Sequence, residues 1–392
     1  MQPNLDPARI RWPAHYNEIP KSVFHREDVY RRELERIFYA QDWHPVGHMA
    51  EFPSPGDYKT VQVGEAQLLV VHGDDGRVRV FLNSCPHRGT QLKTESRGTG
   101  TRIECPYHRW SFDNEGRLLG APGSDQFPAA FSKADYGLRE LRSAALLGLV
   151  FVNFGEDGSS LETFLGEAAD CLPKVVGGDG RLKLLGYQKV VYSTNWKEYG
   201  DNEGYHAPLL HRAFRLLRWQ GGKGMQMVTR YGHKIVEAEL EPPRGAFLDD
   251  ASLVAARDPN TPPRSVVVSI FPMTTMVKHL DVINLRFAFP RSQDETEVHY
   301  AYFHHADDNA ELIRHRLRQA SNLLGPSGFI SLEDGAVFNR LHQGSRTPGT
   351  VAFQKGYRGP MEPPCSAEQG DEASNLIRWE RYRELMGFSR DE

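Results

Sequence analysis

Two short segments constrain this chain more than any other part of it. They read Cys85-Pro86-His87 and Cys105-Pro106-Tyr107-His108, with seventeen residues between His87 and Cys105. Each offers a thiolate first and an imidazole two or three residues on. Two loops that each give one cysteine and one histidine can reach both irons of a [2Fe–2S] centre, cysteines on one iron and histidines on the other. A zinc site also accepts two cysteines and two histidines. Common zinc fingers, however, group the cysteines in one pair and the histidines in the other, so the interleaved order fits zinc poorly. Pro86 and Pro106 each restrict the cysteine before them. The remaining cysteines, Cys171 and Cys365, read as ordinary residues. Four cysteines in 392 residues are no disulfide framework, and a reducing, cytoplasmic setting is expected.

The pattern around these loops is β-rich. Short strands are expected at 58–63, 66–72 and 78–82, separated by Gly/Asp turns such as Gly73-Asp74-Asp75-Gly76. The apolar run Ala144 to Phe154 reads as a buried strand and is too short to span a bilayer, which takes roughly 20 residues. Three segments result: 1–40, with a helix over 21–39 that packs on the larger domain; 41–155, an all-β domain; and 156–392, a mixture of strand and helix. Within the last, helices are expected at 195–205, 308–322 and 372–385, and a loop over 344–364.

A second set of donors lies in Asn195–His211. His206 and His211 are five residues apart, which on a straight helix sets them about 140° apart around the axis. Pro208 between them should kink or end the helix and let both imidazoles converge. Two histidines and one carboxylate make the facial triad of non-haem Fe(II) oxygenases. A bare pair at this spacing also fits one buried and one exposed histidine.

Cys85-Pro86-His87-Arg88-Gly89 and Cys105-Pro106-Tyr107-His108-Arg109-Trp110 resemble the Rieske signature. Asn195-Trp196-Lys197, Asp201-Asn202, Glu203-Gly204-Tyr205-His206 and His211 match the catalytic segment of Rieske non-haem iron oxygenase α subunits. The chain resembles that family along nearly its full length. The resemblance implies an α+β fold: an N-terminal all-β Rieske domain, then a larger catalytic domain with an antiparallel sheet flanked by helices. It implies a [2Fe–2S] cluster on Cys85, His87, Cys105 and His108, and a mononuclear Fe(II) on His206 and His211. The third ligand is implied within Gly325-Pro326-Ser327-Gly328-Phe329-Ile330 … Glu333-Asp334; Asp334 is the choice and Glu333 the alternative. Glu203 is implied as the carboxylate linking His108 of one subunit to His206 of the next, since one carboxylate can fix two imidazoles. Asn202 is implied as a hydrogen-bond donor near the iron that does not itself bind it.

The resemblance further implies a terminal oxygenase that uses O2 as co-substrate and takes electrons from a separate ferredoxin or flavin reductase. It implies a homotrimer, or an α3β3 assembly with a β subunit. No dinucleotide fingerprint is present; Gly221-Gly222-Lys223-Gly224 lacks the strand–turn–helix setting and reads as a loop. The sequence around 323–328 and 378–386 is similar to the aromatic-ring hydroxylating branch, of the salicylate hydroxylase and anthranilate dioxygenase kind. A small aromatic acid is therefore the expected substrate. Arg212, Arg215 or Arg218 could clamp its carboxylate beside Phe214 and Trp219, or form a basic surface at a ferredoxin dock or subunit interface. Phe271, Met273, Met276 and Phe287 fit apolar pocket walls or plain core equally.

Other function classes are weaker. A net charge of −4 gives no basic excess for nucleic acid or an anionic membrane. The N-terminus has no apolar core of a secretory signal. Oxidative N- or O-demethylation is the rival within the same chemistry. A Rieske electron carrier would need no second metal site.

Overall fold

A computed structural model of the chain describes residues 10–201, 205–211, 224–240, 248–260 and 263–391. It divides into two compact units, one of residues 38–158 and one of residues 1–37 with 159–392.

In the 38–158 unit, seven antiparallel strands form one sheet. Their order is Trp43–His48, Leu149–Asn153, Glu140–Leu146, Val78–Leu82, Ala66–His72, Asp57–Val63 and Arg97–Thr99. The apolar run 144–154 is not one strand, as its composition suggested, but two strands of a hairpin. Leu147 and Gly148 both take positive φ, +50° and +78°, the geometry of a tight hairpin turn that matches strand twist. Its glycine is required: a Cβ on Gly148 would sit 2.5 Å from His48 Nε2.

A smaller sheet of Ile103–Glu104, Ser111–Phe112 and Leu118–Gly120 carries the second cysteine loop. The two cysteine loops are built alike. The Cys85 amide donates to the Thr90 carbonyl and Gly89 donates back to Cys85; likewise Cys105 donates to Trp110 and Arg109 donates back to Cys105. The equivalent fifth positions, Gly89 and Arg109, both take left-handed φ, +74° and +59°. Glycine adopts this conformation freely, and arginine does so only at a cost of roughly 1–2 kcal/mol.

The larger unit is centred on an eight-stranded antiparallel sheet among the described residues. The order is Leu182–Tyr192, Thr296–His305, Val282–Pro290, Thr274–His279, Arg264–Ile270, Lys234–Glu239, Gly224–Val228 and Cys365–Glu368. Helices Ala310–Gln319, Ser331–Ser345 and Asn375–Met386 accompany it. The helix expected over 21–39 is a short turn at Lys21–Phe24 followed by a continuous helical stretch, Glu27–Glu33 running into Leu34–Phe38, and among the described residues the one expected over 195–205 is Trp196–Gly200. The expected loop 344–364 holds a short strand, Thr350–Ala352, paired with Glu18–Pro20.

A buried polar cluster ties the N-terminal helix to this unit. Glu33 is fully buried. It accepts from Trp196 Nε1 at 2.8 Å, Lys197 Nζ at 2.5 Å and the Tyr382 hydroxyl at 2.5 Å. Asn195 caps Trp196–Gly200, its side chain accepting from the Lys197 amide, while Glu198 accepts from the Asn195 amide. The Asn-Trp-Lys-Glu phrase therefore acts in folding, by capping and by filling a buried charge cluster.

Candidate functional site

The Cys/His loops come together with a definite inside and outside. Cys85 and Cys105 are buried in the core of the 38–158 unit with Leu69, Phe81, Trp110 and Phe112. His87 is exposed and His108 partly so. Their ring centroids lie 4.7 Å apart, and His87 stacks on Trp110 at 4.7 Å with an interplanar angle of 4°. This contact fixes the orientation of the His87 ring. Burial pushes the Cys85 thiol up, and the neighbouring Cys105 thiol adds to this. Desolvation holds His108 below its ordinary pKa, helped by His87 and Arg88, which favours the neutral imidazole a metal needs. Two thiols on the core side and two imidazoles on the solvent side fit a Rieske cluster.

In the larger unit, His206 and His211 flank a single helical turn, Ala207–Leu210. Pro208 falls in the first turn, where its missing N–H costs nothing. It is the second residue of the turn, whereas the sequence suggested that it would kink or end a helix. His206 keeps helical angles, while His211 leaves them at ψ 110°. The two rings then meet at a centroid distance of 5.1 Å. Asp334 comes from the first turn of Ser331–Ser345. His206 Nε2 and His211 Nε2 each lie 3.4 Å from the same atom, Asp334 Oδ1. Among the described residues these three form a group whose donor atoms all lie within 4.8 Å of one another, close enough to hold a metal ion. His211 and Asp334 are buried and His206 is partly exposed. Burial, foremost, keeps His211 below its ordinary pKa and so neutral.

Glu333 sits on the other side of the histidine. Its Oε2 lies 3.5 Å from His211 Nδ1, at the limit of hydrogen bonding. One carboxylate faces the converging Nε2 atoms and its neighbour faces the back of one ring.

The three donors line a cavity against one face of the eight-stranded sheet. Ser265, Val267 and Ser269 face it from one strand, and Thr275, Val277 and His279 from the next. Arg286 and Tyr300 continue the row across two further strands, in register with Thr275. Tyr199, Leu324, Ile330 and Phe338 close it from the helical side. Strand side chains alternate, so Met276 and Phe287 lie on the opposite face from Thr275, Val277 and Arg286. Phe271 and Met273 are not among the residues that line this cavity. They sit beyond the strand end, where Phe271 borders a separate cleft with Trp196, Arg378 and Trp379 and Met273 is buried core. Arg286 is the cavity residue that the sequence reading missed. Its neighbours, Leu285 and Phe287, make that stretch look like plain core.

Asn202, Glu203 and Gly204 lie outside the described residues. So do Arg212, Phe214, Arg215, Arg218, Trp219 and the 221–223 part of the glycine-rich phrase. The described residues contain no helix long and apolar enough to cross a membrane.

Fold and site together define an iron–sulfur oxygenase class, with a Rieske domain and a catalytic domain that takes a mononuclear iron. Residues 42–138 match the Rieske [2Fe-2S] domain, and 180–369 match the ring hydroxylating alpha subunit (catalytic domain). The chain is 32% identical over 374 residues to the large oxygenase component of salicylate 5-hydroxylase from Ralstonia sp, covering 86% of this chain and 87% of that one. It is also 32% identical to the anthranilate 1,2-dioxygenase large subunit of Burkholderia cepacia, covering 95% and 94%. Its fold matches that of naphthalene 1,2-dioxygenase from Rhodococcus sp., with a TM-score of 0.82 over 94% of each chain at 24% identity. This chain belongs to the ring-hydroxylating oxygenase α-subunit family.

Proposed function

We propose that the protein is the terminal oxygenase component for a small aromatic acid, with Cys85, His87, Cys105 and His108 holding the cluster and His206, His211 and Asp334 the iron. The observation that carries this is the approach of two imidazole Nε2 atoms to one Asp334 oxygen on the wall of a mixed polar and apolar cavity. When bound, the iron supplies O2 activation and the cluster supplies electrons.

The protein's own groups do the rest. Glu333 steadies the back of the His211 ring. Val236, Val267, Val277, Leu324, Ile330 and Phe338 give a ring apolar walls and exclude water. The cavity volume of ≈ 160 Å³ is close to the ~150 Å³ of an engineered apolar cavity that takes up benzene, which favours a single substituted ring. The two relatives at 32% identity are named for salicylate and anthranilate, both single-ring aromatic acids. Glu203, with Asn202 beside it, carries the electron path from His108 of a neighbouring subunit, in a trimer with or without a β subunit. Electrons enter from a ferredoxin or flavin reductase.

The test is turnover with a reconstituted reductase, NADH and O2 on a panel of one-ring aromatic acids, with products read by mass. Gain of ring hydroxyl groups is expected. Demethylated products alone, or NADH oxidation that ignores every aromatic acid, would sink the reading.

A further inference from the structure

Arg286 stands in the cavity wall in a way that packing does not explain. It lies on Val282–Pro290, whose next neighbours in the chain are apolar and buried, and its side chain turns to the cavity. Its Nε donates to Asn284 Oδ1 at 2.8 Å, and its Nη2 approaches the Leu324 carbonyl at 3.4 Å. Its Cζ lies 5.0 Å from the centre of the Tyr300 ring. All of these partners are neutral. Among the described residues Arg286 forms no ion pair.

A guanidinium stays charged at any working pH and presents five N–H donors in a planar fork. Two of those donors are used by Asn284 and Leu324, which fix the fork in place, and the Tyr199 hydroxyl also hydrogen-bonds the guanidinium. None of these partners carries a negative charge, and no carboxylate among the described residues pairs with it. A half-buried cation that lines a cavity without a counter-ion carries part of the desolvation cost of a buried charge, and a site that retains one is a candidate for binding an anion.

The surroundings favour a carboxylate. Tyr192, Tyr199, Tyr300 and Tyr302 lie within electrostatic reach of the guanidinium. The Tyr192 and Tyr300 hydroxyls are 3.0 Å apart; one donates to the other, and the second hydroxyl hydrogen is left to give away. Burial, foremost, pushes the Tyr199 hydroxyl above its ordinary value, so it stays protonated and able to donate. The same hydroxyl senses both Arg286 and Asp334. Arg286 therefore stands near the converging metal-site donors, with apolar wall beside it for a ring.

We propose that Arg286 is the receptor for the substrate carboxylate, binding it end-on through its Nη hydrogens with tyrosine hydroxyls assisting. On this assignment the arginine makes the cavity select an aromatic acid over the uncharged ring compound of the same shape. It also sets which ring carbon faces the metal site. The assignment rests on the reading that the cavity beside His206, His211 and Asp334 is the substrate site.

The test compares each of benzoate, salicylate, anthranilate and terephthalate with its amide, by calorimetric binding to the purified full-length protein. Wild-type protein is expected to bind at least one acid about tenfold or more tightly than its amide. For that pair, Arg286→Gln should weaken the acid by about 30-fold or more and the amide by less than about threefold, since removing one partner of a buried charge contact costs at least that much. Arg286→Lys keeps the charge but loses the fork. It should retain part of the preference and controls for folding through its melting temperature. An acid preference that survives in Arg286→Gln overturns the arginine assignment while leaving the cavity reading intact, as does a wild-type protein that binds amides as well as acids. If Asp334→Ala and Phe338→Trp leave acid binding unchanged, the ligand is not in this cavity, and the cavity reading itself fails.

Discussion

His211 Nε2 lies 3.4 Å from Asp334 Oδ1, while His211 Nδ1 lies 3.5 Å from Glu333 Oε2. Adjacent acids on one helix thus address opposite nitrogens of one imidazole. Asp334 faces the point where His206 also converges, and Glu333 faces away from it.

This separates two roles that adjacent positions in a sequence cannot. Asp334→Ala is expected to lose the mononuclear iron and keep the cluster. Glu333→Gln is expected to keep the iron with affinity reduced about 10–100-fold, the usual effect of removing an outer partner of a metal-bound histidine. Iron titration of the two variants checks this. The reverse pattern would make Glu333 the ligand.

The Glu33–Lys197 pair predicts a large stability effect far from the chemistry. Both side chains are buried. Burial pulls the Lys197 ammonium below its ordinary pKa, and Glu33 opposes that. Glu33→Gln leaves the ammonium without its counter-charge and should cost about 3 kcal/mol or more. Replacing both, as Glu33→Gln with Lys197→Met, should recover much of the loss. Urea denaturation measures both. A loss below about 1 kcal/mol in the single variant would show that the pair holds little together.

His342 gives the fold a pH dependence. It lies on Ser331–Ser345, the helix that carries Asp334. Its Nδ1 is 3.0 Å from Glu198 Oε2 and its Nε2 2.8 Å from Asp294 Oδ1, and Arg346 also binds Asp294. The hydrogen bond to Glu198, foremost, holds the His342 pKa above its ordinary value. A raised native pKa means the native state keeps the proton longer than the unfolded chain does. The contribution is therefore complete below the unfolded value of about 6.5 and is lost as pH rises through the higher native value. Melting temperature should fall across that window in wild type, and the fall should be shallower in His342→Gln. Identical slopes would contradict the assignment.

The two donor sets were legible because they are local phrases whose spacing constrains the chemistry. Cys85, His87, Cys105 and His108 need only two loops, and the left-handed Gly89 is visible as a glycine. The paired Arg109 is not visible, since nothing in the sequence marks a non-glycine residue at positive φ. His206 and His211 were legible as a pair, but their geometry comes from one helical turn that contains Pro208. The cavity could not be read, because its walls depend on which side of each strand faces the helices. A shift of one residue exchanges Arg286 for Phe287 and Val277 for Met276. The hairpin inside 144–154 was hidden for a similar reason: Leu147 takes a turn conformation that its side chain does not advertise. Lys197 was read with the catalytic segment, yet it pairs with Glu33, 164 residues earlier in the chain.

The most direct test of the account is metal and sulfide content of the purified chain. About three irons and about two acid-labile sulfides per chain are predicted, falling to about two irons with unchanged sulfide in Asp334→Ala. About one zinc per chain, with neither sulfide nor the brown colour of a cluster, would contradict it.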